Sequence, residues 1–101
     1  MQTITVTELK SRLDAGENLN ILDVREPSEF AEVNMNGKLI PLGQIMNGET
    51  DGIESWKDQE VIVHCRSGMR SMQACTMLAQ LGFTNTKNLT GGIMAWLELT
   101  K

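Results

Sequence analysis

Cys65 stands at the end of a short apolar run, Val61-Ile62-Val63-His64, and is followed by Arg66, Ser67, Gly68, Met69, Arg70 and Ser71. The pattern reads as a strand that delivers a cysteine into a compact loop, with a helix beginning directly behind it. Backbone N–H groups of the loop, a helix N-terminus and two guanidinium groups then surround one sulfur. All three favour a thiolate over a thiol and attract anions. A free cysteine has a pKa of about 8.5 and is only a few per cent thiolate at neutral pH, and such surroundings lower that value by units. Cys65 is therefore read as a nucleophile, because an Arg/Ser/Gly loop is a poor place for a buried core cysteine. Gly68 permits a tight loop or a positive φ. Ser67 suits a helix N-cap or a hydrogen bond within the loop.

The neighbouring chemistry-bearing residues have plainer readings. His64 precedes Cys65 on the strand, so its side chain points to the opposite face and serves structure. Cys75 falls on the apolar stripe of the following helix and belongs to the core. A Cys65–Cys75 disulfide is not expected. Along a helix starting near Gly68 or Met69, Cys75 lies roughly 9 Å further on at 1.5 Å per residue. A disulfide closes only below about 7 Å between Cα atoms. Asp23 and Arg25 follow the second strand and either orient the adjacent loop by ion pairing or cap local backbone, the structural role being favoured. Arg66 and Arg70 read either as anion attractors or as surface charges, and Arg70 at a helix start repels the dipole unless an anion offsets it. Trp96 and Gly91-Gly92 read as packing and helix entry. With one histidine and no C-x-x-C, no metal site is expected.

Positioning Cys65 requires strands that alternate with helices. Thr3 to Val6 reads as a first strand, with Thr7 as the N-cap of a helix that carries Leu9 and Leu13 on one face and ends at Gly16. Asn20 to Val24 is a continuous apolar strand, as a buried parallel sheet requires. Pro27 sits at the first position of a short helix, Ser28 to Glu32, behind Glu26. Lys38 to Pro41 reads as a third strand, Leu42 to Met46 as one or two helical turns, Asn47 to Gly52 as a polar loop and Ile53 to Trp56 as helical. Val61 to His64 is the fourth strand. Met69 to Leu81 is the longest helix, with a stripe of Met72, Cys75, Leu78, Ala79 and Leu81, closed by Gly82. Thr86 to Leu89 is a fifth strand and Gly92 to Leu99 a last helix. Such alternation implies an α/β fold with a mostly parallel sheet covered on both faces. Ligands then collect at the carboxyl ends of the strands, where Asp23-Val24-Arg25 and Cys65 to Arg70 lie.

The bulk numbers exclude several classes. The 101 residues suit one domain, 1–101. At 41% hydrophobic the chain fills a single core, with seven methionines standing in for scarce aromatics. The net charge of −4 and the lack of a basic run argue against nucleic acid or an anionic membrane as partner. No apolar run approaches the roughly 18 residues needed to span a bilayer. Met1 to Lys10 lacks a basic and an apolar export region, so no signal is expected. Two unpaired cysteines fit a reducing, cytoplasmic setting.

The chain resembles the single-domain rhodanese-like sulfurtransferase family in three ordered motifs. Ile21-Leu22-Asp23-Val24-Arg25-Glu26-Pro27-Ser28-Glu29-Phe30 is similar to its first signature, and Cys65-Arg66-Ser67-Gly68-Met69-Arg70-Ser71 to its active-site loop. Leu81-Gly82-Phe83 and Leu89-Thr90-Gly91-Gly92-Ile93 with Ala95-Trp96 resemble its last. Val33 to Pro41 departs, lacking the family's Gly-His-Ile-Pro-Gly-Ala, so no role is carried over for that histidine. The resemblance implies a three-layer fold with a mostly parallel five-stranded sheet. It implies a Cys65 persulfide cradled by the N–H groups of Arg66 through Arg70, with Arg66 and Arg70 drawing in an anionic donor such as thiosulfate. The implied partners are a small sulfur donor and a thiol or cyanide acceptor, a protein thiol among them, with no cofactor and no metal. Two rivals stand beside it. One is a cysteine phosphatase or arsenate reductase, whose loop places five residues between Cys and Arg where this chain has four. The other is a non-catalytic binding module, whose members usually lack the cysteine.

Overall fold

The carboxyl ends of three neighbouring strands meet at one edge of a parallel sheet, and that convergence organises the molecule. The structure, a computed structural model, describes residues 2–101. Met1, the first residue of the segment read as lacking an export signal, lies outside them. The elements run β1 (Gln2–Ile4), α1 (Val6–Asp14), β2 (Asn20–Asp23), α2 (Pro27–Glu32), β3 (Lys38–Leu39), α3 (Leu42–Met46), a 3-10 turn (Glu54–Trp56), β4 (Glu60–His64), α4 (Met69–Gln80), β5 (Asn85–Leu89) and α5 (Gly92–Thr100). The strands order as β1-β5-β4-β2-β3, all parallel, as the apolar runs imply. Register pairs Asp23 with His64 and Val63 with Asn88. The ends of β2, β4 and β5 therefore lie side by side.

Alternation along β4 splits the core into two layers. Val61, Val63 and Cys65 face α3 and α4, packing with Leu22, Val24, Ala74, Cys75 and Leu78. Ile62 faces the other side with Ile4, Leu9 and Leu89, against which Trp96 and Leu13 pack. Helices thus cover both faces. The β4 residues from Val61 to Val63 are fully buried, so the strand that carries the cysteine is held rigidly on both sides.

Three local expectations shift. The N-cap of α1 is Thr5, and Thr7 lies inside the helix. The capping box decides this, because Glu8 sits three residues after Thr5 and reciprocates its hydrogen bond, whereas Thr7 has Lys10 at that position. β1 accordingly ends at Ile4. β3 stops at Leu39, since Pro41 has no N–H for a ladder and instead caps α3. The buried face of α4 is Ser71, Ala74, Cys75 and Leu78, while Met72 and Ala79 are exposed. Ser71 faces inward because its hydroxyl has partners there, and that rotates the helix away from the expected stripe.

Candidate active site

β4 ends at His64, and the chain turns at once under the N-terminus of α4. The turn is possible because Gly68, the N-cap of α4, holds φ 113°, a conformation L-residues avoid. This points the Gly68 N–H at Cys65, which it reaches at 3.1 Å. The Ser71 hydroxyl lies 3.4 Å from the same sulfur. Cys65 is 1% exposed. Burial pushes its pKa up, but the Ser71 hydroxyl and the N–H groups of Ser71, Gly68 and Ser67 outweigh it, and the net direction is down. Cys75 behaves oppositely: burial pushes its thiol up, as a core cysteine requires.

A second wall stands behind the loop. The first N–H groups of α5 donate to loop carbonyls, Ile93 to Cys65 at 2.9 Å and Met94 to Arg66 at 3.1 Å. Gly92 lets α5 come this close, since a Cβ there would sit 2.5 Å from the Arg66 carbonyl oxygen. Asn88, buried at the end of β5, donates from Nδ2 to the Gly68 carbonyl at 3.2 Å and accepts the Ser71 hydroxyl on Oδ1. Asn88 is absent from the sequence reading. Its only signal is a polar residue at the inner end of a strand, just before Leu89 and the Gly91-Gly92 pair.

The arginines lie less freely than expected. Arg25 is buried and grips Asp23 through Nε at 3.0 Å and Nη2 at 2.7 Å, while Nη2 also donates to the Val33 carbonyl at 2.8 Å. The pair therefore ties the end of β2 to the end of α2. Arg70 forms a fork with Glu29, at 2.7 and 2.9 Å, rather than standing open to an anion. The capping box of α2 places Glu29 there, its carboxylate also accepting the Glu26 N–H at 2.9 Å. Arg70 holds the Glu29 carboxyl at about 2. Arg66 is exposed, with Nε 3.1 Å from Met94 Sδ, and Ser67 and Met69 are exposed too. Beside the loop a cleft of about 220 Å³ opens between α2 and α5, its walls including Glu29, Glu32, Arg66 and Met94.

His64 is fully buried on the face away from Cys65. Burial pushes its pKa down against the pull of Asp23, whose Oδ2 is 3.7 Å away, so the ring is neutral and does not serve the sulfur as a base. Among the described residues no cluster of His, Cys, Asp and Glu could hold a metal ion. Among the same residues no helix is long and apolar enough to cross a membrane.

The sequence pattern of the rhodanese-like domain matches residues 5–99. The chain belongs to the rhodanese-like family. YtwF of Bacillus subtilis, which bears a sulfurtransferase name, is 40% identical over 103 residues, spanning all of this rhodanese-like chain and 95% of that protein. MoeZ of Mycobacterium tuberculosis, which bears an adenylyltransferase/sulfurtransferase name, is 38% identical over 98 residues, and the chain spans only 24% of its length. A rhodanese-like domain protein from Staphylococcus aureus has the same fold, with a TM-score of 0.81 at 33% identity, covering 95% of this chain and 91% of that one.

Proposed function

We propose that this rhodanese-like chain is a sulfurtransferase that moves a sulfane sulfur from a donor such as thiosulfate to a thiophilic acceptor, cyanide or a thiol, through a persulfide on Cys65. The observation that carries the reading is the Gly68 N–H at 3.1 Å from a sulfur that is almost fully buried at the N-terminus of α4. The thiolate attacks the outer sulfur of the donor, a new S–S bond forms, and the donor's own sulfur–sulfur bond breaks with its electron pair leaving on sulfite. The persulfide then hands its outer sulfur to the acceptor, and the Cys65 thiolate departs. A low-pKa thiolate leaves readily, which suits the second step. Ser71 and the loop N–H groups support charge on sulfur at both stages. Every step is a two-electron displacement at sulfur, by a thiolate or by the cyanide carbon, which calls for no organic cofactor and no metal, and two free cysteines suit a reducing compartment such as the cytoplasm.

The phosphatase reading is disfavoured by Arg70. A phosphoryl site needs its loop arginine turned inward on the anion, and here the guanidinium fork is spent on Glu29. The test is direct. Thiosulfate should add the mass of one sulfur to the intact protein, and cyanide should remove it as thiocyanate. Turnover of an aryl phosphate with no thiocyanate formed would reverse the assignment.

A further inference from the structure

Three arginines surround the Cys65 loop, yet two of them are neutralised. Arg25 is locked on Asp23 and Arg70 on Glu29, both through bidentate contacts. Only Arg66 is left, and its Nε rests on Met94 Sδ. The cleft beside the loop balances Arg25 and Arg66 against Glu29 and Glu32. Glu26 stands close enough to Arg70 to raise its pKa, as does Cys65 itself, so Arg70 feels the site from within reach of it. A dianion approaching Cys65 thus meets Glu29 and Glu32 with Arg66 as the one guanidinium of the three that no carboxylate holds.

We propose that Glu29 is a specificity-determining residue: by occupying Arg70 it turns the site away from dianionic donors and toward hydropersulfides, which carry at most a single negative charge. The proposal rests on the sulfur-transfer reading. With a hydropersulfide, the Cys65 thiolate bonds to the outer sulfur, the S–S bond of the donor breaks, and its electron pair leaves on a thiolate of single charge. The proton stays on the transferred sulfur, and nothing is oxidised or reduced overall. With thiosulfate the same displacement must expel a sulfite dianion past Glu29 and Glu32. Like charges across that path oppose both entry and exit.

Glu29→Gln tests this with little disturbance of the fold. Glutamine keeps an Oε1 that can accept the Glu26 N–H, so the cap of α2 survives while the charge that holds Arg70 is gone. The wild type and the variant are each given thiosulfate and an alkyl hydropersulfide with an uncharged alkyl group. The ratio of kcat/KM for thiosulfate to that for the hydropersulfide should rise about two- to fivefold in the variant at low salt, the order one partly exposed charge contact supplies. The gain should shrink with added salt. It should vanish when Arg70→Ala is added, since Arg70 is the group set free. An unchanged or lowered ratio, or a rise that persists without Arg70, would overturn the proposal. Failure of the underlying reading looks different: the wild type would then gain no sulfur mass on Cys65 from either donor.

Discussion

Gly92→Ala measures how firmly α5 holds the Cys65 loop from behind. Gly92 has φ +60°, and an added Cβ would lie 2.5 Å from the Arg66 oxygen, 2.6 Å from the Arg66 carbonyl carbon and 2.6 Å from the Cys65 oxygen. All three are backbone atoms, so no side-chain rotation relieves the clash. Left-handed backbone costs a β-carbon residue about 1–2 kcal/mol. Overpacking against fixed neighbours adds about 1–3 kcal/mol. The sum, about 2–5 kcal/mol, is a large share of the roughly 5–15 kcal/mol that holds a domain together. Gly16→Ala is the control, because Gly16 has φ +85° but nothing within 4 Å of the position its Cβ would take. It should lose only the backbone part. The difference between the two urea-unfolding free energies reads the clash alone. If the loop moves instead, Cys65 shifts relative to the Gly68 N–H, and a displacement of order 1 Å costs about a hundredfold in turnover. Thiocyanate formation from thiosulfate and cyanide reports that loss. A Gly92→Ala protein as stable as Gly16→Ala and fully active would refute the role given to α5.

Cys65→Ser should abolish thiocyanate formation with the fold intact, while Cys75→Ser should keep most turnover; activity that follows Cys75 would refute the site. Iodoacetamide alkylation of Cys65 should show a pH midpoint below the ordinary free-thiol value of about 8.5, and Ser71→Ala should raise it by removing the hydroxyl that supports the thiolate. A midpoint that Ser71→Ala leaves in place would show that the N–H groups alone carry the charge. Glu29 and Glu60 are held at about 2 by Arg70 and Arg12, below the ordinary 4.5. Their stabilisation is therefore complete above about pH 4.5 and is lost as pH falls toward 2, so the urea midpoint should fall across that window. Arg70→Ala should flatten the acid limb, and an unchanged limb would count against the clasp.

What the sequence revealed divides by distance along the chain. Cys65, Gly68 and the helix behind them were legible because strand, loop and helix are contiguous, and the apolar run of β4 has the signature of a strand buried on both faces. The Asp23–Arg25 pair was legible for the same reason, with two residues of separation. The Arg70–Glu29 fork was not, because its partners are 41 residues apart and only the sheet order brings α2 beside α4. Asn88 escaped because an amide at a strand end has no chemistry of its own, and it matters only through Gly68 and Ser71. The misplaced stripe on α4 has a related cause. Hydrophobicity favoured Met72 as inward-facing, but a serine with buried partners outranks it. Thr7 was a plausible cap by residue type, and only the acid three residues after Thr5 separates the two.

The sheet order also sets when the site comes into being. β1 is made first and β5 nearly last, yet they are neighbours in register from Gln2–Lys87 to Ile4–Leu89. A chain still on the ribosome therefore has Cys65 well before it has Asn88, Gly92 and the donors of Ile93 and Met94. Until those residues arrive, β1 has no partner strand, the Gly68 carbonyl lacks the Asn88 amide and the loop has no back wall. The groups that lower the Cys65 pKa are local, on Ser67, Gly68 and Ser71, but the wall that holds them in place is a product of the finished sheet. That bracing depends on long-range strand pairing, which is a late event in folding for a parallel topology.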